Sequence, residues 1–430
     1  MKHLTALLTI LLLLSSCSKD DNSAAPETPD GPARRTVIVY MAAENNLSSM
    51  AEYNLRAMIA GRKLAAKDEN LVVYVDRLSK TELPFIAKVT TDERNPLDTL
   101  YKYPSDSYAS DPSVMRDVLQ RAIQLCPATE DYGLVLWGHA NGWIIETDSV
   151  ASSFKAPRHA FGIDSGDNEL HTKNDGTLEG QWINIPSIRK VLEQVGIKWK
   201  YVFTDCCCML NIETAYELRN QVEYLIGSPA EITGSGAPYG SVVKDFFIHN
   251  DTEMYKALCD DCYAQLDAAN GHAPMAVIKT ANTPALAKAT RQVLTRVNDF
   301  LKTPDATSGM IYYYAYDRNK ESEKTLYDMN DVIQTALKDD VVSYQNWKDV
   351  FKQTVVYSRS STYWHADAIY FADFTEAKDN VIVFKHGNDC CGVTSMFFPM
   401  EKYSKVSHKY NETIRQTGWY YAVGWSEVGW

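Results

Sequence analysis

Tyr132-Gly133-Leu134-Val135-Leu136-Trp137 is an apolar run of strand length, and it runs straight into Gly138-His139-Ala140-Asn141-Gly142. A strand with no polar alternation is covered on both faces, which is the habit of a parallel sheet flanked by helices. Similar runs lie on either side of it. Thr36 to Met41 and Leu71 to Val75 precede it, Trp199 to Phe203 and Val222 to Ile226 follow, and Pro84 to Val89 reads as a further strand. Between them, helical spacing of apolar residues predicts helices over 46–59, 112–125, 185–195 and 210–218. Strands alternating with helices predict an α/β fold, a mostly parallel central sheet with helices on both faces. In such sheets ligands bind beyond the carboxyl ends of the strands. His139 directly follows one predicted strand, and Asp205-Cys206-Cys207-Cys208 directly follows another.

The chain has 430 residues and a net charge of −12. That charge argues against nucleic acid as a partner and against an electrostatic grip on anionic membrane, while cationic substrates remain compatible with it. Lys2 and the apolar run from Leu4 to Leu14 read as an export signal too short to span a bilayer. The run ends at Leu14-Ser15-Ser16-Cys17, which resembles a bacterial lipoprotein signal and implies lipidation at Cys17; an ordinary secretory signal with a chance cysteine is the alternative. Residues 18–33 hold a short acidic patch and a Pro-, Ala- and Gly-containing stretch whose composition predicts a flexible tether. The expected location is therefore extracytoplasmic, on the outer membrane through the lipid alone. The acidic patch after Cys17 resembles a signal for display on the cell surface.

The rest divides into an expected core over 34–275 and a C-terminal α/β extension over 276–430 that completes it. In the extension, 283–301 is a predicted helix, 312–316 is rich in tyrosine, and 393–399 is a late strand. The segment 141–181, about 40 residues rich in Gly, Asp and Ser, is longer than a compact domain tolerates unless the loop is functional.

Nine cysteines fall at Cys17, Cys126, Cys206 to Cys208, Cys259, Cys262, Cys390 and Cys391, a clustering unlike a disulfide framework. A thiol nucleophile needs a histidine to exchange its proton and backbone donors for an oxyanion. Neighbouring parallel strands lie about 5 Å apart, so a histidine and a cysteine at adjacent strand ends could meet. A helix starting near Leu210 would favour a thiolate before it. The alternative is a small buried apolar side chain, the commoner fate of a cysteine after a strand. Cys259-Asp260-Asp261-Cys262 has the spacing of a redox pair but no thioredoxin-like unit around it, and it and Cys390-Cys391 read as structural or incidental. The other histidines show no metal-ligand spacing, and no acidic loop has the spacing of an EF-hand.

Two blocks carry a resemblance that bears on this choice: Tyr132 to Trp143, and Phe203 to Leu218 with Asp205-Cys206-Cys207-Cys208-Met209 inside it. They resemble the histidine and cysteine blocks of the clostripain-like cysteine peptidases, relatives of gingipains, legumains and caspases. Val39 to Leu47, Gly227 to Glu231 with Gly236 to Tyr239, and Gly392 to Pro399 extend the likeness in the family's order. The resemblance implies a caspase-like α/β/α sandwich and cleavage of proteins after Arg or Lys. It implies Cys207 as nucleophile, His139 as its proton partner, and the backbone N–H groups of Ala140 and Cys207 as oxyanion donors. Asp205 would face the substrate's basic side chain; a helix N-cap is its alternative. Self-cleavage in the long loop is also implied, with Lys155, Arg158 and Lys173 as candidate sites. No cofactor or metal is required for this chemistry, though the resemblance leaves calcium open. Ala140 stands where the family usually has Gly, and Glu44 where it has Asp. Ala140 and the unusual cysteine triplet motivate a second reading, a surface binding lipoprotein that kept a peptidase fold without turnover.

Overall fold

In this computed structural model, the described residues are 32–145, 160–174, 178–268, 273–315, 320–360, 363–365, 381–383, 392–406 and 409–430. The first strand, β1 (Ala33–Ala43), shows how the sheet is sealed. Ile38, Tyr40 and Ala42 enter one apolar cluster, and Val37, Val39 and Met41 enter a second on the opposite face. Alternate side chains point to opposite sides of a strand, so a continuously apolar strand needs two cores.

The chain continues through α1 (Ser48–Arg62), β2 (Asn70–Arg77), β3 (Phe85–Val89), β4 (Leu97–Lys102), α2 (Pro112–Leu125) and β5 (Ala128–Gly138). After a hairpin of β6 (Phe161–Asp164) and β7 (Gln181–Ile183) come α3 (Ile185–Val195), β8 (Trp199–Asp205), α4 (Ile212–Leu218) and β9 (Val222–Gly227). Then follow α5 (Tyr239–Val242), α6 (Asp251–Ala268), β10 (Met275–Lys279), α7 (Thr283–Leu301), β11 (Tyr312–Ala315), β12 (Lys324–Asp328), α8 (Met329–Ala336), α9 (Val341–Thr354) and β13 (Val355–Arg359). The described elements end with the β14 (Tyr363–His365) and β15 (Val381–Val383) pair, β16 (Ser395–Met396), α10 (Tyr410–Thr413) and α11 (Gly418–Val423).

Among the described residues, nine strands form the main sheet in the order β13-β10-β9-β8-β5-β1-β2-β3-β4. The central strands, β9 through β2, run parallel, while β3 and β4 at one edge and β10 and β13 at the other run antiparallel. Side chains of α2, α3, α4 and α7 cover one face, and those of α1 and α6 cover the other. This is the expected α/β sandwich, with its parallel character confined to the middle.

Several boundaries differ from the sequence reading. The helix expected from Leu210 begins at Ile212, because Asn211 is its cap: the Asn211 side chain accepts from Thr214 N at 2.8 Å. The helix expected over 46–59 starts two residues later and reaches Arg62. The late strand expected over 393–399 pairs only at Ser395–Met396, against β12. The segment 141–181 is not plain loop: Trp143, Ile144 and Ile145 are buried, and β6 pairs with β7. The extension is continuous with the core. β13 pairs with β10 at the edge of the main sheet, and Val332, Phe397 and Trp419 share one apolar cluster with Leu134 and Leu210.

Candidate active site

The pairing of β5 with β8 sets Trp137 opposite Asp205. His139 and Cys207 each lie two residues beyond that pair, so they leave the carboxyl ends of adjacent parallel strands. The turns that carry them touch. A Cβ on Gly142, whose φ is +71°, would stand 2.9 Å from the Cys208 carbonyl oxygen and 3.1 Å from Asn211 Nδ2. Gly138, at φ +147°, allows a similar approach to β1, since a Cβ there would lie 2.8 Å from the Ala42 carbonyl. Glycine at both positions is what lets the histidine segment lie flat between its neighbours.

The imidazole of His139 is half-exposed, and its Nε2 lies 2.6 Å from Asn46 Oδ1. An amide oxygen accepts, so the tautomer that suits this contact carries its hydrogen on Nε2. Asn46 follows β1, inside the block Val39 to Leu47, and nothing in its sequence context marks it as a partner of His139. The signal for it lies in the topology, because β1 is the strand beside β5.

Cys207 is also half-exposed, while Cys206 and Cys208 are buried. The Ile232 N–H donates to Cys207 Sγ at 3.5 Å, and the thiol lies 3.7 Å from the Ile232 carbonyl. The N–H suits a thiolate and the carbonyl accepts from the protonated thiol, so Ile232 holds the sulfur in place in either form. This amide stands where the α4 N-terminus was expected to act; α4 begins five residues after Cys207 and its cap is already filled. Burial pushes the Cys206 thiol well up, with the Cys207 and Asp205 charges adding to the effect. Cys208 is in the left-handed region, φ +60°, and is held there by its N–H on Ala230 O at 2.9 Å and by Asn211 Nδ2 on its carbonyl at 3.0 Å. This bend after the nucleophile position is a second feature that sequence reading did not find.

Asp205 ends β8 and is buried. It is not a helix cap. Its Oδ1 accepts from Ala237 N at 2.9 Å and its Oδ2 from the Tyr239 hydroxyl at 2.7 Å, and burial raises its pKa to about 6 against those two bonds. Ala140 forms an antiparallel bridge with Phe161. That bridge is closed by Gly162 N on His139 O, 2.8 Å, and Asn141 N on Ala160 O, 3.0 Å, so the Ala140 amide takes no part in it. Lys173 is half-buried beside the Thr172–Leu178 bridge. Lys155, Arg158 and Cys17 lie outside the described residues, as do Cys390 and Cys391. Cys259 and Cys262 are buried in α6, on one stripe with Met254 and Leu258, and burial raises both thiols.

The sequence profile of the clostripain family matches residues 39–430. The chain belongs to that family. Its fold is similar to that of a secreted cysteine protease from Bacteroides thetaiotaomicron solved with an irreversible peptide inhibitor: 25% identity, TM-score 0.71, covering 91% of this chain and 99% of the other. An inactive zymogen protease from Parabacteroides distasonis is similar in fold at 21% identity, TM-score 0.71, covering 92% and 99%. A second secreted protease from Bacteroides thetaiotaomicron matches at 19% identity, TM-score 0.69, covering 92% and 100%. No match is found among curated proteins. The chain is thus a member of a cysteine peptidase family, with a thiol and an imidazole at adjacent strand ends. Among the described residues no helix is long and apolar enough to cross a membrane.

Proposed function

We propose that the protein is an extracytoplasmic, lipid-anchored cysteine endopeptidase that cleaves protein chains after Arg or Lys. The observation that carries this reading is the β5–β8 register, which sends His139 and Cys207 out of neighbouring strand ends onto turns that touch at Gly142 and Cys208. Cys207 attacks the scissile carbonyl, and its proton passes to the imidazole of His139, which Asn46 orients. The imidazolium then protonates the leaving amine, and the neutral ring later activates water to release the acyl group. The backbone N–H groups of Ala140 and Cys207 hold the oxyanion. A methyl at Ala140 leaves this donor in place, so the departure from Gly does not remove the hole.

Asp205 recognises the substrate's cation. Each of its oxygens accepts one bond in the free protein, and an ionised carboxylate offers about four acceptor sites, so both retain capacity for a guanidinium or ammonium group. The lipid on Cys17 holds the enzyme at the outer membrane. Self-cleavage after Lys155, Arg158 or Lys173 opens the site.

The test is hydrolysis of Arg- and Lys-terminated fluorogenic peptides by protein lacking residues 1–17, beside Cys207→Ala and His139→Ala, with intact mass recorded for all three. The parent is expected to turn over and to show a cut between 141 and 181. Both variants are expected to lose turnover by at least ~1,000-fold and to stay uncut. A parent that is inert even after trypsin nicking, yet binds the peptides, would support the binding-lipoprotein reading instead. An active parent that remains one chain would remove self-cleavage and leave the peptidase standing.

A further inference from the structure

Asp205 ends β8 with no basic partner among the described residues, and two neutral donors face it instead: Ala237 N at Oδ1, 2.9 Å, and the Tyr239 hydroxyl at Oδ2, 2.7 Å. A buried carboxylate without a counter-ion is costly, so its charge rests on the donors aimed at it. Both donors come from one short segment, 32 and 34 residues further along the chain.

That segment is pinned from several sides. Trp137, which pairs with Asp205 across β5 and β8, donates from Nε1 to Asn54 Oδ1 at 2.7 Å, and Asn54 Nδ2 donates to Ser235 O at 3.0 Å. Tyr239 begins α5 and is fully buried, with its ring against Phe246. α5 lies so close on α1 that a Cβ at Gly61 would collide with the Tyr239 carbonyl oxygen. A tyrosine packed in this way has few rotamers open to it, and a buried hydroxyl needs a partner. Its partner is the Asp205 carboxylate. The other titratable groups near Asp205 are thiols: Cys206 follows it in the chain and Cys262 lies near it in α6, and burial pushes both well up, so each stays neutral. Half-exposed Cys207 acts on Cys206, while Asp245 and Asp261 act on Cys262 and are paired with Lys244. Burial also raises the Tyr239 phenol well above its ordinary range, so the hydroxyl keeps its proton and donates it to the carboxylate's lone pair.

We propose that Tyr239 is a positioning residue for substrate recognition, whose hydroxyl fixes the Asp205 carboxylate and stabilises the charged form that an Arg or Lys side chain requires. The inference deepens the peptidase reading above and rests on it. Tyr239 acts through Asp205. A hydroxyl donating to a carboxylate favours the ionised form, and a more acidic phenol favours it more. Phe at this position keeps the ring and leaves Asp205 Oδ2 short of a donor, so the carboxyl should hold its proton to higher pH.

The experiment measures kcat and KM for an Arg-terminated fluorogenic peptide across the acid limb, with the parent lacking residues 1–17, Tyr239→Phe and Tyr239→3-fluorotyrosine, the last introduced at that position alone. In Tyr239→Phe the limb of kcat/KM is expected to move to the alkaline side by about one pH unit, which at pH 6 is a loss of about 5-fold that shrinks as pH rises. The loss should fall on KM more than on kcat, since it removes ground-state binding. Fluorination makes the phenol a stronger donor, so that variant's limb should move to the acid side. Opposite displacements from two rings of nearly the same shape are not a packing effect. If Tyr239→Phe does not fold, the acid-side displacement in the fluorinated protein is the deciding result. Limbs that coincide with the parent's, or a Tyr239→Phe loss uniform over pH, would overturn the role of Tyr239 and leave the peptidase reading standing. A parent inert towards both Arg and Lys peptides would overturn the two together.

Discussion

Asp205 has a buried carboxyl whose partners are an amide and a phenol, Ala237 N and Tyr239, and desolvation outweighs them to set its pKa at about 6. Its charge is therefore lost within a range where the enzyme can still be assayed. Below about 6 the carboxyl is protonated and offers no counter-charge to an Arg or Lys side chain; above it, the charge is present. The value of kcat/KM reports ionisations of the free enzyme, so for Arg peptides it should rise with pH through a limb near 6. Alkylation of Cys207 by iodoacetamide, which needs no basic side chain, should follow only the thiol and imidazole and lack that limb. Identical profiles for the two reactions would detach Asp205 from recognition. The Gly236 position bears on the same carboxylate: a Cβ there would stand 2.6 Å from Asp205 Oδ2, so the turn that supplies Ala237 N depends on glycine.

At the scale of elements, the approach of the two turns rests on backbone shape. Gly142 and Gly196 both have positive φ, +71° and +80°, but a Cβ at Gly142 meets the Cys208 carbonyl at 2.9 Å and one at Gly196, the cap of α3, meets nothing within 4 Å. Each Ala variant should bear about 1 kcal/mol of backbone strain. Gly142→Ala should in addition push the histidine and cysteine turns apart and reduce kcat by ~10-fold or more, because small displacements at reacting atoms are costly. Peptide turnover and melting of the two variants, side by side, separate strain from displacement; equal losses in both would remove the contact from the account. This contact also shows where the sequence stopped being legible. The strands β5 and β8 and the helices α2, α3 and α7 could be read to within a few residues, since long periodic segments carry their own signal. His139 and the run Asp205 to Cys208 stand out in the sequence because each follows its strand directly in the chain, and only the family resemblance singles out Cys207 within that run. Asn46, Ile232 and the bend at Cys208 do not stand out, since what they touch comes from other strands and only the sheet order brings them together. The antiparallel strands β4, at one edge, and β10, next to the other, are short and half-polar or isolated, and α6 is hidden because its buried stripe is partly cysteine.

Over the whole molecule, the two halves of the chain meet behind the nucleophile turn. Thr394 Oγ1 donates to Leu210 O at 3.0 Å, Ser395 N to the same carbonyl at 3.4 Å, and Phe397 N to Glu213 Oε1 at 2.8 Å. Glu213 is fully buried in the first turn of α4, and burial raises its pKa from 4.5 to about 8 against the Phe397 bond. The folded state therefore holds a proton that the unfolded chain releases between about 4.5 and 8. The stability this group contributes is complete below its unfolded pKa and is lost as pH rises through that window, with a slope of up to ~1.4 kcal/mol per pH unit. Glu213→Gln keeps an oxygen for Phe397 N and cannot titrate. In the Cys207→Ala background, the fall in melting temperature between pH 5.5 and pH 7.5 should shrink by a few degrees in Glu213→Gln, whatever the variant does to absolute stability. An unchanged fall would place the titrating proton elsewhere and leave the Glu213–Phe397 contact as packing alone. A flattened one would show that the C-terminal half secures the cysteine turn through a protonated carboxyl, so that alkaline conditions loosen the seam behind Cys207 before they unfold the sheet.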